Sequence, residues 1–184
     1  ATPLQDLVEH AAVGAYASGV LAEAARTYTS RQHRNRATLG GTLSSRVNED
    51  AVTAALLVLD AKVVKVKTLI TEVCLPPQPA GIKAALAKVG RTPADLPLVI
   101  AAVLILIEKG TCVLARIAVA GAGITPILCV AAEQAVMGHP LTDKSILQAA
   151  AAAADAVKPA EDFRASIEYR REMARTLVRR AFLA

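Results

Sequence analysis

Apolar residues recur at helical spacing in the first part of the chain, beginning with Leu4, Leu7 and Val8. This spacing predicts helix over residues 4–31, with a break in the segment from Gly14 to Gly19. The chain is therefore predicted to begin with two consecutive helices.

Strand periodicity begins after residue 61. Charged and apolar residues alternate over residues 62–67, which is typical of a strand with one solvent-exposed face. Since another apolar run follows at once, a hairpin is predicted around Lys67-Thr68. A second turn between strands is predicted at Glu108-Lys109-Gly110. The predicted strands are 62–67, 69–75, 98–107 and 112–119.

Helical patterns return in the last third of the chain. A helix is predicted over residues 129–137, and another from Lys144 through the alanine-rich run, with Asp143 as its N-cap. Pro159 marks a break, and Ser166 begins the final helix. Together these elements predict an α+β fold: a small, mostly antiparallel sheet packed against helices that cover one of its faces.

Composition adds limits to this picture. Hydrophobic residues make up 54% of the 184 residues, aromatic residues make up 3%, and the formal net charge is +5. Arginines concentrate in the C-terminal helix, but no aromatic platform accompanies the charge, so nucleic-acid binding is not predicted. The apolar run over residues 96–107 is too short to span a bilayer, so no membrane span is predicted.

Three cysteines, Cys74, Cys112 and Cys129, lie far apart and show no spacing typical of a metal site. They are expected to act as small buried hydrophobic residues, and no metal site is predicted. A sparse, odd number of cysteines suits a reducing compartment, so a cytoplasmic location is predicted. His33 and His139 have no Ser, Cys or carboxylate at a recognisable spacing, and therefore no catalytic residue is assigned.

One stretch, from Gln32 to Leu43, combines residue types that suggest ligand binding. A run rich in arginine and asparagine precedes Thr38-Leu39-Gly40-Gly41-Thr42, which is expected to form a bend of the kind that glycine permits. Adjacent glycines leave backbone N–H groups uncovered, and flanking hydroxyls make the arrangement suitable for a phosphate or pyrophosphate. The alternative is an ordinary Gly-Gly turn beside a solvated basic run.

This stretch closely resembles the second flavin-binding signature of the FAD-binding medium subunit of the molybdenum hydroxylases, the xanthine dehydrogenase and carbon monoxide dehydrogenase type enzymes. The family pattern reads roughly Gln-Ile-Arg-Asn-x-Ala-Thr-x-Gly-Gly-Asn. Here His33 replaces the isoleucine and Thr42 replaces the final asparagine, while the rest matches in order and spacing. Arg116-Ile117-Ala118 and the Ser/Tyr/Arg-Arg segment over residues 166–171 are also similar to runs of this family.

The resemblance implies a role in electron transfer as the flavoprotein component of an oxidoreductase. FAD would take electrons from the iron–sulfur clusters of a small partner subunit, which drain a molybdenum centre in a molybdopterin large subunit. It would then pass them to an external acceptor. The residues implied as contacts of the FAD are Thr38, Gly40, Gly41 and Thr42.

Two further residues are implied by the resemblance as flavin contacts. Asp50 is the candidate for the acidic residue that follows the signature, and its alternative role is the N-cap of the helix over residues 51–59. Lys88 lies where family members carry a lysine near the flavin ring, and its alternative role is a solvated lysine on a strand.

The resemblance divides the chain into two parts. Residues 1–68 would be a partial FAD-binding subdomain, a helical remnant with its Gly-Gly loop, and residues 69–184 would be the C-terminal domain. The family's first Gly-Gly pyrophosphate loop has no counterpart in this sequence, so half of the expected FAD cradle would lie in a part of the protein that the sequence does not include. The alternative is a truncated or engineered scaffold of this fold that no longer binds FAD and acts as an assembly module.

Several positions are more apolar than the family pattern, which predicts exposed patches that favour self-assembly or association with other subunits. The arginines of the final helix are expected to form a solvated charged face, with contact to an acidic partner subunit as the alternative. The unusually apolar positions are Ile82, Ile100, Leu114, Ile124, Leu128 and Ile167.

Overall fold

The first third of the chain is helical, as predicted, but it is divided into short helices. The structure is a computed structural model that describes residues 1–45, 47–92 and 95–184. The predicted break is a 3₁₀ turn over Tyr16–Gly19, where Ala17, Ser18 and Gly19 have positive φ. The helices are α1 (Leu4–Glu9), α2 (Ala11–Ala15), α3 (Val20–Arg26), α4 (Arg31–Arg36), α5 (Leu39–Ser45) and α6 (Ala51–Val58).

A hairpin follows α6 at the predicted position. Strand β1 (Lys62–Val66) pairs antiparallel with β2 (Leu69–Cys74), and together they form a separate two-stranded sheet. Lys67 has a φ of 55°, the left-handed conformation that a two-residue hairpin turn requires. Strand β2 ends before Pro76-Pro77, because proline has no N–H to donate to a neighbouring strand.

A four-stranded antiparallel sheet lies at the centre of the molecule. The turn between its two long strands is at Lys109-Gly110, where both residues have positive φ, as expected for a tight hairpin. Sheet and helices together confirm the predicted α+β fold. In spatial order, the strands are β3 (Lys83–Val89), β4 (Val99–Glu108), β5 (Thr111–Ala120) and β6 (Ile127–Leu128).

The C-terminal helices differ from the predictions mainly at their ends. Helix α7 is shorter than predicted, because the chain turns back so that the Gly138 N–H donates to the Cys112 carbonyl at 2.8 Å. Thr142, rather than Asp143, caps α8 and forms a capping box. The final helix begins at Ser166, as predicted, with Ser166 as the N-cap of α9. These helices are α7 (Val130–Gln134), α8 (Asp143–Ala156) and α9 (Ile167–Phe182).

Helices cover both faces of the central sheet, so the prediction of a one-sided helical layer is wrong. Val99 and Val103 of β4 pack in a core with α7, α8 and α9. Ile100 and Leu104, which point to the other face, pack in a second core with α1, α3 and α6. The reason is that β4 has a continuous apolar run, which is typical of a strand buried on both faces.

The unusually apolar positions have different environments in the structure. Ile100 is fully buried, so the prediction of an exposed patch is wrong for this residue. Ile124 and Leu128 are exposed, by 89% and 36%. The remaining positions are partly buried: Ile82, Leu114 and Ile167.

The apolar run near residue 100 belongs to a strand and not to a helix. It forms β4, which has 10 residues and lies between β3 and β5. Within the described part of the chain, no helix combines the length and the apolar character needed to cross a bilayer.

Candidate functional site

The signature stretch, residues 32–42, forms most of the short helices α4 and α5. Ser30 caps α4, because its hydroxyl accepts from the His33 N–H at 3.1 Å. Thr38 has the same role for α5: its Oγ1 accepts from the Gly41 N–H at 3.1 Å, and its carbonyl accepts from the Thr42 N–H at 2.8 Å. Hydroxyl side chains therefore define where both helices begin.

The predicted glycine bend is wrong. Gly40 and Gly41 lie in the first turn of α5, and neither adopts the left-handed conformation. The Thr38 cap makes a helical start possible here, since it satisfies an N–H group that the bend would have left uncovered. Space distinguishes the two glycines: a Cβ on Gly41 would lie 2.9 Å from Thr38 Oγ1, whereas one on Gly40 would meet Ile70 at 3.9 Å.

Backbone hydrogen bonds to the N-terminal segment fix the junction between α4 and α5. The Leu4 N–H donates to the Ala37 carbonyl, and the Leu39 N–H donates to the Thr2 carbonyl, both at 2.9 Å. Among the N–H groups of the first turn of α5, that of Gly40 has no acceptor within the residues described. This donor therefore remains available at the start of the helix.

The polar residues of α4 point in two directions. Arg34 turns inward, where its guanidinium donates to the Tyr28 carbonyl and to Gln5 Oε1, each at 2.7 Å. These bonds satisfy a carbonyl just beyond the end of α3, so the Arg34 guanidinium has a structural role. The outward residues are exposed and line an open cleft of about 550 Å³: Gln32, His33 and Arg36.

Asp50 is the N-cap of α6, which was the alternative role left open by the sequence. Its carboxylate accepts from the N–H groups of Val52 and Thr53 at 3.1 and 2.9 Å, and also from the Thr53 hydroxyl. The Tyr28 hydroxyl donates to the same carboxylate at 3.3 Å. Asp50 is only 2% exposed, so its oxygens point into the protein, and a flavin contact by this residue stays a prediction.

Tyr28 connects the Asp50 cap with the signature stretch. Burial, and then the negative charge of Asp50, raise the pKa of Tyr28 to about 12, whereas the neighbouring Thr42 hydroxyl acts to lower it. The Tyr28 ring meets the His33 ring edge to face, with 5.3 Å between their centroids. The phenol therefore keeps its proton at neutral pH and remains a donor to Asp50.

Lys88 lies apart from the signature stretch, on the edge strand β3. Its side chain is exposed and lines a cleft of about 310 Å³ together with Asp95 and Pro97. The same two residues also line a smaller cavity, of about 120 Å³, which His33 borders. Asp95 and Pro97 thus lie between Lys88 and the signature stretch, and a flavin contact by Lys88 stays a prediction.

An ionic cluster that was not predicted from the sequence joins the segment before α6 to the start of α9. Arg170 is 3% exposed, and its Nη1 donates to the Leu98 carbonyl at 2.9 Å and to the Gly121 carbonyl at 2.6 Å. Its Nη2 donates to Asp162 Oδ2 at 2.8 Å. The prediction of a solvated arginine face is therefore wrong for Arg170. The cluster consists of Glu49, Asp162, Arg164 and Arg170.

A signal for the buried arginine is present in the sequence. Arg170 precedes Ala174, Leu177, Val178 and Ala181 at helical spacing, and these four residues form the buried face of α9. Arg170 therefore shares the face that packs on the sheet, whereas the neighbouring arginine in the sequence is exposed.

Charge pairing determines the protonation of this cluster. The hydrogen bond from Arg170 holds the pKa of Asp162 well below its usual range, and the backbone N–H groups of Arg164 and Ala165 act in the same direction. Asp162 therefore stays ionised at neutral pH. Because two arginines meet two carboxylates, the cluster is close to electrically neutral.

The cysteines form no disulfide bond with one another. Cys112 and Cys129 are buried, and burial raises the pKa of both thiols, that of Cys129 to about 12. Both thiols are therefore protonated at neutral pH and poor nucleophiles. Among the described residues, no group of three or more His, Cys, Asp or Glu side chains is placed to hold a metal ion.

Comparison with known proteins relates this fold to a family. Residues 84–184 match the family model of the CO dehydrogenase flavoprotein C-terminal domain. The chain is 32% identical over 186 residues to the 6-hydroxypseudooxynicotine dehydrogenase complex subunit alpha of Paenarthrobacter nicotinovorans, a match that covers 88% of this chain and 63% of that protein. It is 36% identical over 114 residues to the carbon monoxide dehydrogenase medium chain of Afipia carboxidovorans, covering 61% of this chain and 39% of that protein.

The chain thus spans less than two thirds of the length of these curated relatives. Among solved structures, carbon monoxide dehydrogenase from Hydrogenophaga pseudoflava matches with a TM-score of 0.92 at 28% identity, covering 100% of this chain and 72% of that chain. The family model covers more than half of the residues. The chain therefore belongs to the CO dehydrogenase flavoprotein family, the medium subunits of molybdenum hydroxylase-type oxidoreductases.

Proposed function

We propose that this chain is part of an FAD-binding electron-transfer subunit, which passes electrons from the iron–sulfur clusters of a small partner subunit to an external acceptor. Substrate oxidation would take place on a molybdopterin large subunit. When bound, FAD supplies the redox chemistry, and the residues of this chain bind and orient it. Family membership supports this role.

The start of α5 carries the proposal. The Gly40 N–H has no acceptor among the described residues, and Gly41 leaves the Thr38 hydroxyl uncovered by any side chain of its own. The exposed Arg36 adds a positive charge next to this helix start. A pyrophosphate fits these groups, because its oxygens accept hydrogen bonds from backbone N–H groups and are attracted to a guanidinium.

The other implied residues have supporting roles in this proposal. Thr42 is 7% exposed, so its side chain would stabilise α5 from the side that faces the protein interior. Asp50 would stabilise α6 as its N-cap. Lys88 would supply a positive charge to the flavin from the cleft that it lines together with Asp95. We keep residues 1–68 as the partial FAD-binding subdomain and 69–184 as the C-terminal domain, in a cytoplasmic complex.

Flavin uptake tests the proposal directly. The purified chain is incubated with excess FAD and desalted, and its visible absorption spectrum is recorded. We expect a flavin band that approaches one FAD per chain. Thr38→Val should reduce this band, because it removes the hydroxyl at the start of α5.

The matched control is Thr142→Val, which removes the capping hydroxyl of α8 and should leave the flavin band unchanged. A colourless wild-type chain would contradict FAD binding. Equal loss of flavin in the two variants would mean that general destabilisation, and not the signature stretch, controls uptake.

The alternative function is an assembly module without FAD. The observation in its favour is that Ile124 and Leu128 are exposed on the segment around β6. A colourless protein whose mass in solution is a multiple of the chain mass would support this alternative. Replacement of both residues by serine should then give a monomer.

A further inference from the structure

Tyr28 contacts three separate segments near the proposed flavin site. It lies between α3 and α4, where its ring meets His33 of α4 at a centroid distance of 5.3 Å and an interplanar angle of 73°. Its hydroxyl donates to Asp50 Oδ1 at 3.3 Å and lies beside the side chain of Thr42 in α5. One half-buried side chain therefore links both helices of the signature stretch to the cap of α6.

The helices of the signature stretch are short, and the Arg34 bonds to the Tyr28 carbonyl and to Gln5 restrain α4 but not α5. Helices α4 and α5 have 6 and 7 residues, and isolated helices of this length are marginal in water. Pairing of Leu4 with Ala37 and of Leu39 with Thr2 fixes the backbone at their junction. The rotation of α5 relative to α6 depends on side chains, and Thr42 is a buried one that faces Tyr28.

We propose that Tyr28 is a positioning residue for the flavin site, which holds α4, α5 and the Asp50 cap in one orientation before the ligand arrives. This inference rests on the proposed function. Tyr28 would not touch the flavin. It would lower the entropic cost of binding, because the Thr38–Thr42 segment is already ordered in the free protein.

The protonation of the phenol agrees with this role. Burial and the Asp50 charge raise the pKa of Tyr28, so the hydroxyl remains a donor across the neutral pH range. A phenolate at this position would repel the carboxylate that it now contacts. The Tyr28 hydroxyl can therefore donate to Asp50 throughout the neutral pH range.

The test compares Tyr28→Phe with a matched control in the same chain. Tyr16 is also half-buried, and its hydroxyl donates to the Pro76 carbonyl at 2.5 Å and accepts from Gln78 at 3.0 Å, so Tyr16→Phe removes a similar hydroxyl elsewhere. We expect Tyr28→Phe to raise the Kd for FAD about tenfold, measured by quenching of flavin fluorescence. Tyr16→Phe should leave this Kd within about twofold of wild type.

A second readout does not require the flavin. Amide hydrogen exchange over residues 39–45 should become faster in Tyr28→Phe and stay unchanged in Tyr16→Phe, because only the first variant releases α5. If Tyr28→Phe does not fold, His33→Ala replaces it, since it removes the ring contact with Tyr28. Because His33 also lines the cleft beside α4, hydrogen exchange over residues 39–45, and not the Kd for FAD, is then the readout. That variant should show the same changes with smaller amplitude.

The two proposals fail in different ways. A wild-type chain that takes up no FAD overturns the proposed function, while the exchange rates over residues 39–45 still report whether Tyr28 orders α5. Normal FAD binding by wild type, Tyr28→Phe and Tyr16→Phe alike, with equal exchange rates over α5, overturns the positioning role and leaves the proposed function intact.

Discussion

The two faces of the central sheet are covered by helices of different length. On one face, α8 and α9 have 14 and 16 residues and form most of the cover, beside the short α7 of 5 residues. On the other face, α1, α3 and α6 have 6, 7 and 8 residues. Since isolated helices shorter than about 12 residues are marginal in water, the short helices depend on caps and tertiary contacts. The face that carries the signature stretch should therefore respond more strongly to the loss of single caps than the face with long helices.

The largest expected loss of stability runs against this comparison, because it comes from a residue of α9, on the face with long helices. Arg170→Met should lower the free energy of unfolding by about 4 kcal/mol, since Asp162 and the carbonyls of Leu98 and Gly121 lose their buried donor. Urea denaturation followed by circular dichroism measures the change. The control is Arg171→Met, an exposed neighbour on α9, which should change stability by less than about 0.5 kcal/mol.

The same variant should change the dependence of stability on pH. The pKa of Asp162 is lowered in the folded state, so its contribution is complete above the ordinary aspartate value of 3.8 and is lost as the pH falls through the folded value. The free energy of unfolding of the wild type should therefore decrease at acid pH. A decrease of equal steepness in Arg170→Met would show that Arg170 does not control this carboxylate.

A smaller effect sharpens the comparison between short and long helices. Asp50→Ala should lower the free energy of unfolding by about 2 kcal/mol, because two backbone N–H groups and two hydroxyls lose a buried acceptor. Thr142→Ala removes the cap of the longer α8 and should cost about 1 kcal/mol. Thermal unfolding of both variants measures the difference. A larger loss for Thr142→Ala would contradict the dependence on helix length.

The smallest effect distinguishes the two glycines of the signature stretch. Gly40→Ala should raise the free energy of unfolding by about 0.5 kcal/mol, because alanine favours helix over glycine and the new Cβ makes an ordinary contact with Ile70. Gly41→Ala should lower it by about 0.5 kcal/mol, since its Cβ would press on Thr38 Oγ1 and disturb the cap. Thermal unfolding of the two variants measures these changes. Changes of the same sign in the free energy of unfolding would contradict the prediction.

Local signals in the sequence predicted much of the fold. The hairpin turns at Lys67-Thr68 and within Glu108-Lys109-Gly110 and the start of the last helix at Ser166 depend on residues close in sequence, and all three are confirmed. The signature stretch was recognisable because its residue types follow one another without interruption. Its shape was not predictable, because a threonine shortly before two glycines suits both a bend and a capped helix. The Thr38 cap is local, and the long-range bond between Leu39 and Thr2 fixes the backbone at the helix start.

Other features depend on contacts between distant parts of the chain. The one-sided sheet was a wrong prediction, because the helices that cover the second face come from the first sixty residues and pack on a strand near residue 100. The inward direction of Arg170 likewise depends on carbonyls at Leu98 and Gly121, which are 72 and 49 residues away. Periodicity along α9 indicates a buried face, but the partners that make burial of a charge acceptable are visible only in three dimensions.

The dual burial of β4 has a consequence for how this molecule is divided. Val99 and Val103 support the helices of one half, while Ile100 and Leu104 support those of the other half. A single strand thus belongs to both hydrophobic cores, and neither core is complete if that strand is removed. The signature helices and the C-terminal helices should therefore melt as one cooperative unit, and a cut placed between them would leave two fragments that each expose apolar surface.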